Sequence, residues 1–371
     1  MNLLALNWND LKNPYGGGAE VHLEELLRRL VKMGHRVTLF CSGWTGCEPE
    51  DEVEGVRIIR RGMRYTFNFV APFYLRPLVR QERFDVLVEN INKVPFYTPW
   101  YLNIPTLVLI NHLFSTTVFR ETNFLLGSYV YLLEQPLVKV YRGRHFNVVS
   151  ESTREDLLAR GVPEGDLSIT YSGIDRSTYF PDPSVEKYET PTLLYLGRIR
   201  KYKSIQHIIR AMIPVRKRVP GARLMVVGAG NYLGALKDLA RDLKLEDAVE
   251  FPGFVSREEK VERMRRSHAI VLPSPREGWG LTNTEANAVG TPAVAADAPG
   301  LRDSVKHGKS GFLYQYGNIE QLADRLVEIL TDTEVRQKLE RGALEWADRF
   351  NWDDAAKQFS TYLEQVGGKV V

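Results

Sequence analysis

The sequence predicts an α/β protein of two Rossmann-like, doubly wound domains in series. Three observations carry that prediction. Short apolar runs alternate with amphipathic helical patterns along nearly the whole chain. The alternation lapses once, over 172–191, where Gly, Pro and charge replace periodicity as in a linker. The length, 371 residues, is too great for one ordinary core and suits two of about 150–200 residues each.

In the first half, LLALN (3–7), RVTLF (36–40), DVLVEN (85–90), TLVLIN (106–111) and HFNVVS (145–150) read as buried parallel strands, because polar residues do not alternate with apolar ones. Between the first two, AEVHLEELLRRLVKMGH sets Val21, Leu23, Leu26, Leu27, Leu30 and Val31 on one helical stripe, with Gly34 placed to end the helix. This is a strand–helix–strand unit, whose crossover should be right-handed. The second half restarts with TLLYLG (192–197), RLMVVG (223–228), VEFPG (249–253), AIVLPS (269–274) and PAVAA (292–296). The stretch NWDDAAKQFSTYLEQV (351–366) predicts an amphipathic helix after an Asn351 cap, returning across both domains. The expected organisation is therefore 1–175, 176–350, and a terminal helix in 351–371 that packs back on the first domain. Two such domains are expected to face each other across a cleft at the carboxyl ends of their strands, where open α/β sheets bind ligands.

A net charge of +3 supplies no electrostatic case for nucleic acid, and no zinc-finger spacing or basic heptad occurs. Cys41 and Cys47 are the only cysteines, which fits packing residues in a reducing cytosol better than a disulfide or metal site. The N-terminal residues lack the basic and apolar regions of a signal peptide, and no run of about 18 apolar residues predicts a spanning helix, so a cytoplasmic protein is expected.

Three strand-following loops carry unusual chemistry. NPYGGGAE (13–20) opens a helix with Gly16, Gly17 and Gly18, so backbone amides can approach an anion. It is not G-x-G-x-x-G, and Ser42 stands where a dinucleotide site needs an acid, so a nicotinamide dinucleotide is disfavoured. GRIRKYKS (197–204) offers Arg198 and Lys203 to a diphosphate, the first as a planar fork and the second as a point charge. HGKSG (307–311) lacks the upstream glycine of a P-loop. In the third loop, SPREGWGLTNTEANAVGTPAVA (274–295), Glu277 precedes a Gly-Trp-Gly turn and Glu285 follows a helix start eight residues on. Thr282 to Glu285 also matches a capping box, with Thr282 as the cap. Amides at the helix start suit an anion and carboxylates suit neutral hydroxyls. A sugar nucleotide presents both.

The pattern E-G-W-G-L-T-x-x-E-A-x-A-x-G-T-P-x-V-A, preceded by G-R-x-x-x-x-K and an N-terminal G-G-x-x, resembles the retaining, nucleotide-sugar-dependent glycosyltransferases of GT-B fold, often called family 4. The resemblance spans nearly the whole chain, and E-x7-E is its most specific part. It implies hexosyl transfer with retention, without an essential metal or other cofactor; no D-x-D tripeptide occurs. It implies Glu277, Gly278 and Trp279 on the donor sugar and Glu285 on the ribose. Arg198 and Lys203 would hold the diphosphate with the amides of Gly280, Leu281 and Thr282. Gly16 and Gly17 would approach the diphosphate or acceptor, and Gly228, Phe254 and Val255 would bracket the base. His112 stands where the family places a histidine near the reacting sugar, so His112 and Glu277 are the implied catalytic groups. Leu113 replaces the acid that many members carry there.

The implied partners are a UDP-, GDP- or ADP-linked sugar and a glycan or glycolipid acceptor in cell-envelope or exopolysaccharide synthesis. Aromatic and basic residues crowd 60–80 and 114–146, which suits either peripheral contact with an anionic membrane or simply a packed domain with a basic rim. Two other readings stay open: a nucleotide-sugar epimerase of similar architecture, against which the E-x7-E loop argues, and a non-catalytic sugar-nucleotide binding protein.

Overall fold

The apolar run at the N-terminus forms β1 (Asn2–Leu6), which is buried because parallel strands flank it on both sides. In this computed structural model, which describes residues 1–92 and 94–368, the chain folds as two units. Unit 1 is Met1–Gly173 joined by the returning segment that starts at Trp352; unit 2 is Ile174–Asn351. Residues 369–371, the tail of the expected terminal segment, lie outside the described residues.

Unit 1 continues through α1 (Gly18–Lys32), β2 (Arg36–Gly43), β3 (Glu50–Val53), β4 (Val56–Met63), α2 (Phe67–Gln81), β5 (Val86–Ile91) and β6 (Thr106–Ile110). Next come α3 (Val118–Glu121), α4 (Phe124–Glu134), α5 (Leu137–Val140), β7 (His145–Val148), α6 (Glu151–Ala159) and β8 (Leu167–Ile169). The sheet order is β3-β4-β2-β1-β5-β6-β7-β8, so the chain reverses its winding direction between β1 and β5. All pairs are parallel except β3 with β4, a hairpin closed by Glu54-Gly55, both at positive φ. Leu4, Leu6, Phe40, Phe67, Ala71 and Leu75 form one core between the sheet and α2.

Unit 2 comprises β9 (Thr192–Leu196), α7 (Ile205–Arg218), β10 (Arg223–Val227), α8 (Leu233–Asp242), β11 (Val249–Gly253), α9 (Arg257–Arg266) and β12 (Ala269–Leu272). It ends with α10 (Leu281–Ala288), β13 (Ala293–Ala296), α11 (Leu301–Ser304), β14 (Gly311–Tyr314), α12 (Ile319–Thr331) and α13 (Thr333–Ala347). The strands run β11-β10-β9-β12-β13-β14, all parallel, with the switch point between β9 and β12.

The ten apolar runs are all strands. Missed by sequence reading were the β3–β4 hairpin, β8 and β14, each short, edge-placed or charged, where periodicity carries little signal. Asn351, expected as a helix cap, directly precedes the last helix and makes a parallel bridge with Ile174. The last helix, α14 (Trp352–Gly368), packs on α1 in unit 1. Arg29 donates to Asp353 at 2.6 Å, and Trp352 lies 5.6 Å from the His22 ring.

Two buried histidines make acid stability predictable. His22 on α1 sits 2.8 Å from Ser172 Oγ, and burial holds its pKa down to about 3. His268, just before β12, is held down to about 4 by burial, then by the charges of Arg336 and Lys187. A depressed folded-state pKa contributes stability that is whole above the ordinary histidine value and lost as pH falls toward the folded value. The urea midpoint is therefore expected to drop steadily below about pH 6.5. His22→Gln should flatten that decline for unit 1, measured by hydrogen exchange at pH 7 and pH 5.

Candidate active site

The switch point of unit 2 lies beside two of the loops that the sequence singled out. The loop after β9 carries Arg198 and Lys203; the loop after β12 carries Glu277. Lys203 Nζ donates to Glu277 Oε1 at 2.5 Å, with both side chains largely out of solvent. Burial presses the ammonium toward neutrality, but Glu277 and Tyr202 outweigh it and hold the Lys203 pKa above the ordinary lysine value. Arg198 is exposed and close enough for its charge to push that pKa the other way. Burial raises the Tyr195 phenol well above its usual range; the Glu277 charge adds to this and that of Arg198 opposes it, so one buried hydroxyl feels both.

Glu277 is clamped through its backbone. Its N–H donates to Pro299 O at 3.0 Å, and a Cβ on Gly300 (φ +79°) would stand 2.2 Å from its carbonyl oxygen. Only glycine fits there.

Four residues after Glu277, α10 begins, and its geometry corrects two expectations. The cap is Gly280 in the left-handed region, not Thr282, which falls inside the first turn. Glu285 therefore does not close a capping box with Thr282: its Oε2 accepts from Lys260 Nζ at 2.6 Å. Lys260, on α9, also donates to Tyr179 at 2.9 Å, and burial with the Glu285 charge pushes that phenol up to about 12. Lys260 escaped sequence reading because REEKVERMRR looks like a solvated charge run. Trp279 is buried, 5.0 Å edge-on to Phe350, so its indole anchors the loop in the core. Gly278 and Leu281 are half-buried in the same turn. The first amides of α10, which an α-helix leaves without intrahelical partners, lie beside the Glu277 loop.

The neighbouring loops are stitched together. Gly228 N–H donates to Gly253 O at 2.8 Å, and Ile199 N–H to Ala229 O at 2.9 Å. A Cβ at Gly228 (φ +136°) would lie 2.0 Å from Gly197 O, so close backbone packing already accounts for this glycine. Phe254 stands exposed just after β11, and Val255 is half-buried beside it.

In unit 1 the switch point lies between β1 and β5, and it is lined by asparagine. Asn90 Nδ2 and Asn92 Nδ2 donate to Asn7 Oδ1 at 3.0 and 3.1 Å, and Asn111 Nδ2 donates to Asn90 Oδ1 at 3.0 Å. Asn9 and Asn92 both donate to Glu20 Oε1. Sequence reading missed this ladder, although its signal was present: LLALN, DVLVEN and TLVLIN all end in Asn. The Gly17 N–H donates to Glu20 Oε2 at 2.7 Å, so in this structure that amide is committed to a carboxylate. Gly16 N–H closes a turn onto Asn13 O at 2.9 Å. His112 follows β6, half-buried, with its ring edge-on to Phe114 at 5.0 Å. Among the described residues no group of three or more His, Cys, Asp or Glu is placed to hold a metal ion, and both cysteines are free.

Two doubly wound units in series, the second with a cation–carboxylate pair at its switch point, are the architecture of the GT-B class. Residues 16–178 match the model of Glycosyltransferase Family 4 and residues 179–346 that of Glycosyl transferases group 1, and the chain belongs to this family. The GDP-mannose-dependent alpha-(1-6)-phosphatidylinositol monomannoside mannosyltransferase of Mycobacterium tuberculosis is similar, 25% identical over 98% of each chain. Sucrose-phosphate synthase from Thermosynechococcus elongatus has the same fold, with TM-score 0.82, 20% identity and 98% of each chain covered. So does Anabaena HepE, solved with UDP and glucose, with TM-score 0.78 and 18% identity, covering 98% of this chain and all of its own. The protein is a glycosyltransferase that acts on nucleotide-sugar donors in glycan or lipid biosynthesis.

Proposed function

We propose that the protein moves a hexosyl unit from a nucleotide-diphosphate sugar to a glycan or lipid-linked acceptor, with retention and without an essential metal, in envelope or exopolysaccharide synthesis. It would do so in the cytoplasm, at the inner face of the membrane. Unit 2 takes the donor and unit 1 the acceptor. The observation that supports this best is the Lys203–Glu277 pair at the switch point, beside Arg198 and the start of α10. Breaking the sugar–phosphate bond sends an electron pair onto the diphosphate. Lys203, Arg198 and the amides of Gly280, Leu281 and Thr282 stabilise that growing charge. Glu277 accepts from the donor sugar's hydroxyls, with the backbone of Gly278 and Trp279 alongside. His112 contacts the reacting sugar, and Gly16 and Gly17 approach from the acceptor side, Gly17 exchanging its bond to Glu20 for the ligand. Glu285, held by Lys260, accepts from the ribose; exposed Phe254, with Val255 and the backbone at Gly228, borders the base. The acceptor hydroxyl oxygen bonds to the anomeric carbon on the face the diphosphate leaves, and its proton passes to the departing oxygen.

The nucleotide is UDP, GDP or ADP; similarity to a protein that uses GDP-mannose and to one solved with UDP supports the first two. A thermal-shift screen of UDP-, GDP- and ADP-sugars identifies it, because a ligand that binds only the folded state raises Tm by mass action. Incubation of that donor with lipid-extract or oligosaccharide acceptors is expected to yield a product with the donor's anomeric configuration by NMR. Isomerised donor without acceptor glycosylation would mark an epimerase; a thermal shift with no turnover would mark a binding protein. Either outcome overturns the proposal.

A further inference from the structure

Strand β4 runs parallel to β2, and β2 to β1, so the loop after β4 reaches the same carboxyl edge of the sheet as the glycine loop after β1. It opens with a tight turn. Thr66 N–H donates to Met63 O at 2.9 Å, which sets Arg64 and Tyr65 at the two central positions. There Arg64 meets the glycine loop. Its guanidinium carbon lies 4.4 Å from the ring centroid of Tyr15, the residue before Gly16, and 5.6 Å from that of Tyr65. Both rings stay open to solvent, Tyr15 at 50% and Tyr65 at 76% exposure. The arginines of β4 nearby are occupied otherwise: Arg60 holds Asp10 and Asp51, and Arg61 holds Glu50. Among the described residues Arg64 has no ion pair and no hydrogen bond, so the rings hold the guanidinium while its N–H donors stay uncommitted.

We infer that Tyr15, Arg64 and Tyr65 form a subsite for an anionic sugar, the guanidinium taking a phosphate monoester or carboxylate and the exposed Tyr65 ring lying against the C–H face of the sugar ring. The acceptor is then an acidic one, a phosphorylated or uronic sugar, free or borne on a longer glycan. A planar guanidinium grips either anion through two parallel N–H bonds, and stacking on aromatic rings fixes that fork before the ligand arrives. Tyrosine adds flat contact area at small cost in conformational freedom. Cohesion between the two loops alone would need neither two rings so open to water nor an arginine with unused donors. The inference rests on the reading that unit 1 takes the acceptor, but its binding test needs no donor. A missing donor-induced rise in Tm would sink the transferase reading and leave this site standing; a normal rise with no acid-sugar binding would sink this site alone.

The test is fluorine NMR of the full chain labelled with fluorotyrosine, with the Tyr15 and Tyr65 signals assigned from Tyr15→Phe and Tyr65→Phe. The probes are glucose-6-phosphate, glucuronate, glucose and inorganic phosphate, titrated at low salt. Both acid sugars are expected to move the Tyr15 and Tyr65 signals at millimolar concentration and to compete with each other. Glucose should bind at least about tenfold more weakly, because it lacks the charge-assisted bonds. Inorganic phosphate should also be weaker, because it offers no ring to Tyr65. Arg64→Gln should cost glucose-6-phosphate about ten- to a hundredfold and make it no better than glucose. Tyr65→Leu, read at Tyr15, should cost glucose-6-phosphate about three- to tenfold and leave inorganic phosphate unchanged. The changes lie in surface loops, and an unchanged urea midpoint verifies the fold. No shift with either acid sugar, glucose or inorganic phosphate binding as tightly as they do, or variants that bind like the wild type overturns the inference. So does a lowered urea midpoint in Arg64→Gln with binding intact, which would leave the stack as cohesion between loops.

Discussion

Lys203→Ala is expected to lower kcat about a hundred- to a thousandfold, the range found when one donor to a developing oxyanion is removed. The loss should fall on kcat more than on KM, because the diphosphate charge that Lys203 meets grows as the bond breaks. Glu277→Gln acts by another route and leaves a distinct signature. In the ligand-free protein, burial alone would drive the Lys203 ammonium toward neutrality, and Glu277 is the leading group that opposes it. Without that carboxylate the lysine pKa falls, so the variant's kcat/KM should decline on the alkaline side, where the wild-type profile stays flat. Since kcat/KM reports the free enzyme, the new limb reads Lys203 itself. Steady-state rates from pH 6 to 9 on a donor found by thermal shift measure both effects. Near-normal turnover in either variant, with the fold intact, removes the pair from the site.

The largest stability effect is expected at Arg60. Its Nε donates to Asp10 Oδ2 at 2.5 Å, with the two side chains 2% and 0% exposed, and its ring of contacts includes Asp51 at 3.0 Å and the Trp44 face at 4.9 Å. Arg60→Ala strands the Asp10 carboxylate in the interior beside the Cys41 thiol. Breaking such a pair costs about 3–5 kcal/mol, a large share of the ~5–15 kcal/mol that holds a domain folded. A double change, Asp10→Asn/Arg60→Met, should recover much of the loss, because no unpaired charge remains. Urea titrations of the three proteins decide the matter; a single variant as stable as the wild type would mean the pair is not buried. The consequence reaches the candidate site. Asp10 accepts from the Asn13 N–H, and Asn13 accepts from that of Gly16, so the pair anchors the loop carrying Gly16 and Gly17.

What could be read from the chain followed from local chemistry. LLALN, TLLYLG and their counterparts announced parallel strands by lacking alternation, and the lapse at 172–191 lies where the chain passes from unit 1 to unit 2. Glu277, Lys203 and Arg198 stood out as candidates because each sits in a loop directly after a strand, where doubly wound sheets bind ligands. Thr282 was misread because a capping box is a four-residue pattern that ignores what else competes for the glutamate. In the folded chain Lys260, 25 residues upstream, takes it. The burial of the Trp279 indole against Phe350, 71 positions away, could not be read from the Gly-Trp-Gly turn alone.

By itself, then, the sequence determined the two α/β units and the loops that bear charge, because hydrophobic period and backbone punctuation act over a few residues. Only the tertiary structure decided which charges meet: Lys203 with Glu277 across 74 positions, Lys260 with Glu285, and Asn7 with Asn90 and Asn92 across more than 80. The physical reason is that a salt bridge or buried hydrogen bond is a matter of distance and desolvation, set by strand order. No local pattern encodes that β12 lies beside β9, or β5 beside β1.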